Sequence, residues 1–314
     1  MLRHTRATFC VLIAALAAFV SCLPASTPDA GAPRADAAAL AAEPQNQNAT
    51  TTAMPSVVVA EYDFAALDSA GAFQSLEKLD AAVVDDPLYK TGERRFYGYR
   101  LSEILSLLDG FADIPRNSHK LVWVCADGYR TTYDFHAIRG GSGILATGLS
   151  DRDGRAWESY TRGKMTLLPA PFYLVWEGEG PDNGRPWPYQ LTKLQVISSE
   201  RIAMRLETPQ PELHGEGEML YKKHCMSCHS MNLIGGVMGP EMNVPRNILE
   251  YRTAADFVAF AANPQAFRAR SPMPKMRYLG EDTLEKITGY VASMSARKVC
   301  VTPMACAEYA DATK

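Results

Sequence analysis

The 314-residue sequence lacks a large excess of either charge, lacks an internal repeat and contains only seven cysteines. Its formal net charge of -3 argues against a nucleic-acid partner, which would require a basic surface. Cys10 and Cys22 lie in the N-terminal leader, and the five cysteines that remain are too few for a fold held together by disulfides. The hydrophobic fraction of 47% and the charged fraction of 21% are usual for soluble globular proteins, and the length suggests two domains.

The N-terminus has the composition of an export signal. An apolar run from Phe9 to Val20 follows a basic start that contains Arg3 and Arg6. This run is too short to span a bilayer comfortably, so residues 1–22 are predicted to be a signal peptide and the mature protein is expected in the periplasm. The residues before Cys22 are close to a bacterial lipoprotein cleavage box. Cys22 is therefore a candidate for a lipid anchor, and ordinary cleavage beyond it is the alternative.

The sequence then divides into three regions. Residues 23–55 are rich in Ala, Pro, Thr, Asn and Gln and lack hydrophobic periodicity, so we expect a disordered linker. Residues 56–205 favour β structure, and Leu101–Leu108 has the spacing of one short helix. Candidate strands begin at Val57, Leu121, Thr131, Phe172 and Leu191, and Asp127-Gly128 predicts a turn.

Two prolines in Thr208-Pro209-Gln210-Pro211 mark a boundary, and residues 212–314 favour helices. Thr253 and Asp256 resemble a capping box that opens one helix. Asp282 with Glu285 predicts the start of the last helix, whose apolar face carries Leu284, Ile287, Val291 and Met294. The predicted fold class is α+β, with a mainly β domain at residues 56–205 followed by an all-α domain at residues 212–314.

The motif Cys225-Met226-Ser227-Cys228-His229 carries the most specific chemistry in the chain. In a C-x-x-C-H run, two thiols add to the vinyl groups of a haem and the histidine ligates its iron. A zinc half-site would need a second ligand pair, and Cys300 and Cys306 are poorly spaced for that role. A thioredoxin-like pair would need a βαβ context, whereas this region favours helices. The motif therefore predicts one covalent haem c bound through Cys225, Cys228 and His229.

Residues around this motif resemble class I cytochromes c, from about residue 213 to 297. Gly217–Tyr221 is similar to the first helix of that family, and Gly289–Val291 is similar to its last helix, which crosses the first. Gly239-Pro240 resembles the loop whose carbonyl accepts a hydrogen bond from the axial histidine. The resemblance implies that such a bond orients His229.

The resemblance also implies a methionine as the sixth iron ligand. Ser271-Pro272-Met273-Pro274 is similar to the Met-Pro element of the family, which favours Met273, and Met276 is the competitor. His/Met ligation leaves no open position on the iron, so we expect transfer of single electrons. The basic residues around Met273 are candidates for contact with a haem propionate or an acidic partner, with a solvated loop as the alternative: Arg268, Arg270, Lys275 and Arg277.

The two C-terminal cysteines have a separate interpretation. Cys300 and Cys306 enclose a short segment that contains Pro303. In an exported protein, a disulfide between them would stabilise the tail by roughly 2 kcal/mol.

Residues 97–197 resemble the core domain of sulfite-oxidase-like molybdopterin proteins. The resemblance rests on Gly98–Leu105, on Asp127-Gly128-Tyr129 and on Pro171–Trp176 followed by Trp187. In molybdenum enzymes of that family a cysteine binds the metal, and Cys125 lies in a comparable context. Molybdopterin is nevertheless not expected, because no Arg-Arg pair precedes the apolar run, as export of a folded domain would require. The domain is therefore expected to serve as a docking module.

These features predict an exported electron carrier whose N-terminal domain positions a redox protein, either a dehydrogenase or an oxidase. The alternative is a molybdenum oxidoreductase with an attached haem c domain. A haem-based sensor is the third hypothesis, and it would require an open sixth position on the iron.

Overall fold

The computed structural model describes residues 56–90, 92–162 and 165–299. The predicted signal peptide, Cys22, the whole of the predicted linker (residues 23–55), and Cys300 with Cys306 lie outside these residues. Within them, no helix is both long and apolar enough to cross a membrane. We refer to residues 56–206 as the β segment and to residues 207–299 as the helical segment.

The β segment is built on an eight-stranded antiparallel sheet in the order β2-β3-β6-β9-β10-β4-β5, with β1 also paired to β10. A separate hairpin is formed by β7 and β8. Three helices accompany the strands: α1 (Phe64–Ser69), α2 (Leu101–Leu107) and α3 (Ser199–Leu206). The strands are β1 (Val58–Asp63), β2 (Lys78–Val84), β3 (Glu93–Arg100), β4 (His119–Cys125), β5 (Arg130–Tyr133), β6 (Gly143–Leu149), β7 (Tyr160–Arg162), β8 (Met165–Leu167), β9 (Phe172–Trp176) and β10 (Tyr189–Ser198).

The sheet is buried on both faces around its central strand. All five residues of β9 are buried, which explains why Phe172–Trp176 is a continuous apolar run. Successive side chains of a strand point to opposite faces. Leu174 accordingly belongs to one hydrophobic cluster with Trp123, whereas Tyr173 and Val175 belong to a second.

The helical segment contains four helices and one short hairpin: α4 (Pro211–His224), β11 (His229–Met231), β12 (Ile234–Val237), α5 (Ala254–Ala262), α6 (Pro264–Phe267) and α7 (Glu281–Ser293). Helices α4 and α7 cross at Gly217, where any β-carbon would overlap the carbonyl oxygen of Lys286. One turn further, the rings of Tyr221 and Tyr290 pack with centroids 5.3 Å apart. A glycine at the crossing therefore allows the two backbones to approach.

Two details of the helical segment differ from the sequence expectations. The hairpin of β11 and β12 amends the all-α prediction; Asn232 and Leu233 turn it with positive φ angles of 52° and 67°. The last helix begins at Glu281 with Gly280 as its N-cap, so Asp282 lies inside the first turn and does not cap it. The Thr253 cap is confirmed, because its hydroxyl accepts a hydrogen bond from the Asp256 amide at 3.1 Å.

The two segments share one hydrophobic cluster. Helix α3 ends at Leu206 and α4 begins at Pro211, in agreement with the proline-marked boundary. The division into domains at residues 56–205 and 212–314 stays a prediction, since apolar side chains from both sides of the boundary pack together. They include Val57, Val122, Ile197, Ile202 and Leu206 from the β segment, and Tyr221, Met231, Ile234, Ile287 and Val291 from the helical segment.

Candidate functional site

The predicted attachment residues lie on one tight turn directly after α4. Cys225 is the C-cap of this helix, and its amide donates to the Tyr221 carbonyl at 2.9 Å. The amides of Cys228 and His229 both donate to the Cys225 carbonyl, at 3.1 and 2.9 Å. The turn thus brings the two sulfurs and the imidazole into one short stretch of backbone, as the spacing of the motif predicts.

The imidazole of His229 has a defined orientation. Its Nδ1 lies 2.9 Å from the carbonyl oxygen of Pro240, so Nδ1–H donates and the lone pair is left on Nε2. The ring is 8% exposed, and this burial lowers its pKa from the usual range. A neutral imidazole with an available Nε2 is the form that binds a metal ion. The hydrogen bond implied by the Gly239-Pro240 resemblance is therefore present.

Glycine at position 239 is required by the same arrangement. A β-carbon there would lie 2.5 Å from Nδ1 and 2.7 Å from Nε2 of His229. The Gly239 amide also donates to the Cys228 carbonyl at 2.9 Å, which fixes the loop against the turn. The donor set and its surroundings fit a haem c attached through Cys225, Cys228 and His229.

Among the residues that the structure describes, the cysteine pair lacks the further ligands that a zinc site would need. Cys225 and Cys228 are not joined in a disulfide. Burial, with a smaller contribution from Cys228, raises the pKa of the Cys225 thiol to about 12. Among the described residues, no group of three His, Cys, Asp or Glu side chains is arranged to hold a metal ion.

The two candidate methionines lie in the segment between α6 and α7. Met273 is half-buried in a turn, and Met276 is held by a bond from its amide to the Ala261 carbonyl at 3.0 Å. The identity of the sixth ligand stays a prediction. The four basic residues near Met273 are all exposed: Arg268, Arg270, Lys275 and Arg277.

A turn of the β segment lies on the attachment loop, which the sequence reasoning missed. The Arg130 amide donates to the Ser227 carbonyl at 3.0 Å, and the Val237 amide donates to the Gly128 carbonyl at 2.8 Å. The Tyr129 side chain also interacts with Ser227. The Asp127-Gly128 sequence signals the turn, but no local pattern reveals that its partner lies 100 residues further along the chain.

A buried amide network supports the loop that carries Pro240, and the sequence reasoning missed this as well. Asn232, Asn243 and Asn247 are fully buried. Nδ2 of Asn243 donates to Oδ1 of Asn232 at 2.8 Å, and Nδ2 of Asn247 donates to Oδ1 of Asn243 at 2.8 Å. The same amides reach carbonyls of Val291 and Met294, so they join the loop to the end of α7.

Cys125 ends β4 and is 4% exposed. Its amide donates to the Tyr129 carbonyl at 2.9 Å, and burial raises the pKa of its thiol. These observations suit a buried structural cysteine.

One open cavity of the helical segment lies away from this site. It has a volume of about 780 Å³, runs between α5 and α7, and is lined by small and apolar residues such as Val258 and Leu284. Neither Cys225, Cys228, His229 nor Met273 lines it. We assign no role to this cavity.

Comparison with known proteins bears on the helical segment. The Cytochrome c family model matches residues 215–295, a range that contains the attachment turn, the Gly239-Pro240 loop and α7. No curated protein and no solved structure matches the chain. The family match does not extend to the β segment, so its resemblance to sulfite-oxidase-like proteins stays a prediction. Residues 215–295 therefore form a cytochrome c domain, which binds haem c and carries electrons.

Proposed function

We propose that the protein is an exported one-electron carrier with a single haem c. Cys225 and Cys228 would hold the cofactor by thioether bonds, and His229 and Met273 would ligate its iron. Bound haem supplies an iron centre that gains or loses one electron. The observation that carries the proposal is the Nδ1–H of His229 held by the Pro240 carbonyl, with no room for any side chain at position 239.

The residues around the iron would each have a specific role in this proposed function. The Pro240 carbonyl fixes the tautomer of His229 and raises its basicity as a ligand. The thioether of Met273 would close the sixth position, so that external molecules do not reach the iron. The redox centre then exchanges electrons without binding a substrate.

The central experiment is expression with periplasmic haem maturation, followed by iron and molybdenum analysis of the pure protein. We expect one iron per chain and a tryptic peptide in which Cys225 and Cys228 carry a tetrapyrrole. The Cys225→Ser/Cys228→Ser double variant is the control and should be colourless. A colourless matured wild-type chain would refute the proposal.

The sixth ligand is tested by Met273→Ala beside Met276→Ala. Loss of the thioether should lower the reduction potential and open the iron to external ligands in the first variant only. An unchanged spectrum in Met273→Ala, with a changed one in Met276→Ala, would move the assignment to Met276.

We further propose that the chain is exported through its N-terminal signal and anchored by a lipid at Cys22. Mass spectrometry of the mature N-terminus tests both parts, because a lipid on Cys22 adds a defined mass that Cys22→Ser abolishes. Recovery of residues 1–22 in the mature protein would contradict export by this signal.

The β segment is proposed to dock a redox protein, since its Asp127–Arg130 turn contacts the attachment loop through Ser227. The same contact favours one alternative function, because Cys125 lies two residues before that turn. In the alternative, a molybdenum centre at Cys125 would pass electrons to the haem. A stoichiometric molybdenum signal that disappears in Cys125→Ala would support this alternative and refute the proposal of an electron carrier without molybdenum.

A further inference from the structure

The turn that carries Met273 has few hydrogen bonds within itself. Met273 lies between Pro272 and Pro274, and neither proline has an amide proton to donate. Within the turn, the Met273 amide donates to the Ser271 hydroxyl at 3.3 Å. The carbonyls of this turn therefore depend on donors from outside it.

Gln265 provides those donors. Its Nε2 donates to the Met273 carbonyl at 2.7 Å and to the Ser271 carbonyl at 3.0 Å. A side-chain amide has two N–H groups, so both are used on this one turn. Its other end, Oε1, is buried without a hydrogen-bond partner among the described residues. The amide is thus oriented by the turn, because the opposite orientation would place an oxygen against two carbonyl oxygens.

The short helix that carries Gln265 is itself fixed by backbone hydrogen bonds. Gln265 lies on α6, which starts with Pro264, and the Arg268 amide donates back to the Pro264 carbonyl at 2.9 Å. The Ser271 amide then donates to the Arg268 carbonyl at 2.9 Å, which leads the chain into the turn. Gln265 and the turn that it binds therefore form one compact unit.

We propose that Gln265 is a positioning residue, whose amide holds the Ser271–Met273 turn so that the Met273 thioether stays on the iron. This inference rests on the proposed ligation by Met273. Without the two hydrogen bonds the turn opens more often, and an added ligand competes more successfully for the sixth position.

The test uses the matured protein with haem attached and measures imidazole binding to the ferric form by optical titration. Gln265→Glu keeps the shape of the side chain but removes both donors, and Gln265→Leu removes them without adding charge. We expect both variants to bind imidazole roughly ten- to thirtyfold more tightly than wild type, as the loss of two hydrogen bonds implies. Amide hydrogen exchange over residues 271–276 should accelerate in the same variants.

Gln195→Leu is the matched control, because Gln195 also uses Nε2, to bind Glu61 in the β segment at 2.6 Å. It should bind imidazole as wild type does, even if its melting temperature falls. Ser271→Ala is a milder second variant, which removes only the acceptor of the Met273 amide and should strengthen imidazole binding in the same direction.

The outcomes separate this inference from the proposed function. Tight imidazole binding in Met273→Ala, with wild-type binding in both Gln265 variants, would overturn the positioning role alone. Wild-type binding in Met273→Ala would overturn the ligand assignment and the positioning role with it.

Discussion

Replacing Gly217 by alanine should weaken the contact between α4 and α7. A β-carbon at this position would lie 2.9 Å from the carbonyl carbon of Lys286 and 3.0 Å from Cβ of Tyr290. It would also overlap the Lys286 carbonyl oxygen, which is the nearest atom. Heavy atoms in contact normally lie ~3.5–4.0 Å apart, so relief of this overlap requires the helices to separate by roughly 1–1.5 Å. Separation on this scale loosens the packing of Tyr221 on Tyr290, both of which are fully buried.

The expected change in the free energy of unfolding follows from two opposing effects. Overpacking of a closed contact costs about 1–3 kcal/mol. Alanine in place of glycine within a helix contributes about 0.5–1 kcal/mol in the other direction. Gly217→Ala should therefore lower the free energy of unfolding by about 0–2.5 kcal/mol.

Gly215 provides a control in the same helix, because a β-carbon there would meet no atom within 4 Å. Gly215→Ala should raise the free energy of unfolding by about 0.5–1 kcal/mol. Thermal unfolding followed by circular dichroism should separate the two variants by roughly 1–14 °C. If Gly217→Ala melts at or above the temperature of Gly215→Ala, the close approach of α4 and α7 is wrong.

Three further predictions concern the loop and the sheet. Gly239→Ala should displace the imidazole of His229, which would lower the yield of coloured protein and shift the absorption spectrum of what remains; an unchanged spectrum would contradict the close contact. Asn243→Ala should cost about 1–3 kcal/mol of stability, measured by urea unfolding, because it leaves buried polar groups without partners. Asp86 is fully buried, and burial raises the pKa of its carboxyl group. A raised folded-state pKa means that its contribution to stability is complete at pH values below about 4, its unfolded range, and is lost as the pH rises through the folded value. As the pH rises through this range, the wild-type protein should therefore lose stability relative to Asp86→Asn. The same pH dependence of the free energy of unfolding in both proteins would contradict this.

Local sequence patterns were sufficient for elements whose signals are short-range. The apolar run Phe172–Trp176 is β9 to the residue, and Leu101–Leu108 differs from α2 by one residue. The C-x-x-C-H motif predicted a cytochrome c domain, which the family match confirms. In each case the deciding interactions lie within a few residues of one another.

Features that depend on distant partners could not be predicted in this way. Nothing near Asp127-Gly128 indicates that the turn binds Ser227, because that pairing is decided by how the β segment packs on α4 and its turn. The buried asparagines are a second example, since asparagine usually lies at the surface. Only the fold shows that Asn243 meets Asn232 and the end of α7. The start of α7 was misplaced because Gly280, with a φ of 78°, can serve as an N-cap without a side-chain bond.

The contact between Arg130 and Ser227 has a consequence for how the protein is assembled. The cysteines on either side of Ser227 must be reachable by a large planar cofactor and by the machinery that attaches it. A turn that is hydrogen-bonded across the same backbone would obstruct that access. If haem c is attached as proposed, covalent loading is therefore expected to precede the packing of the β segment on the attachment loop.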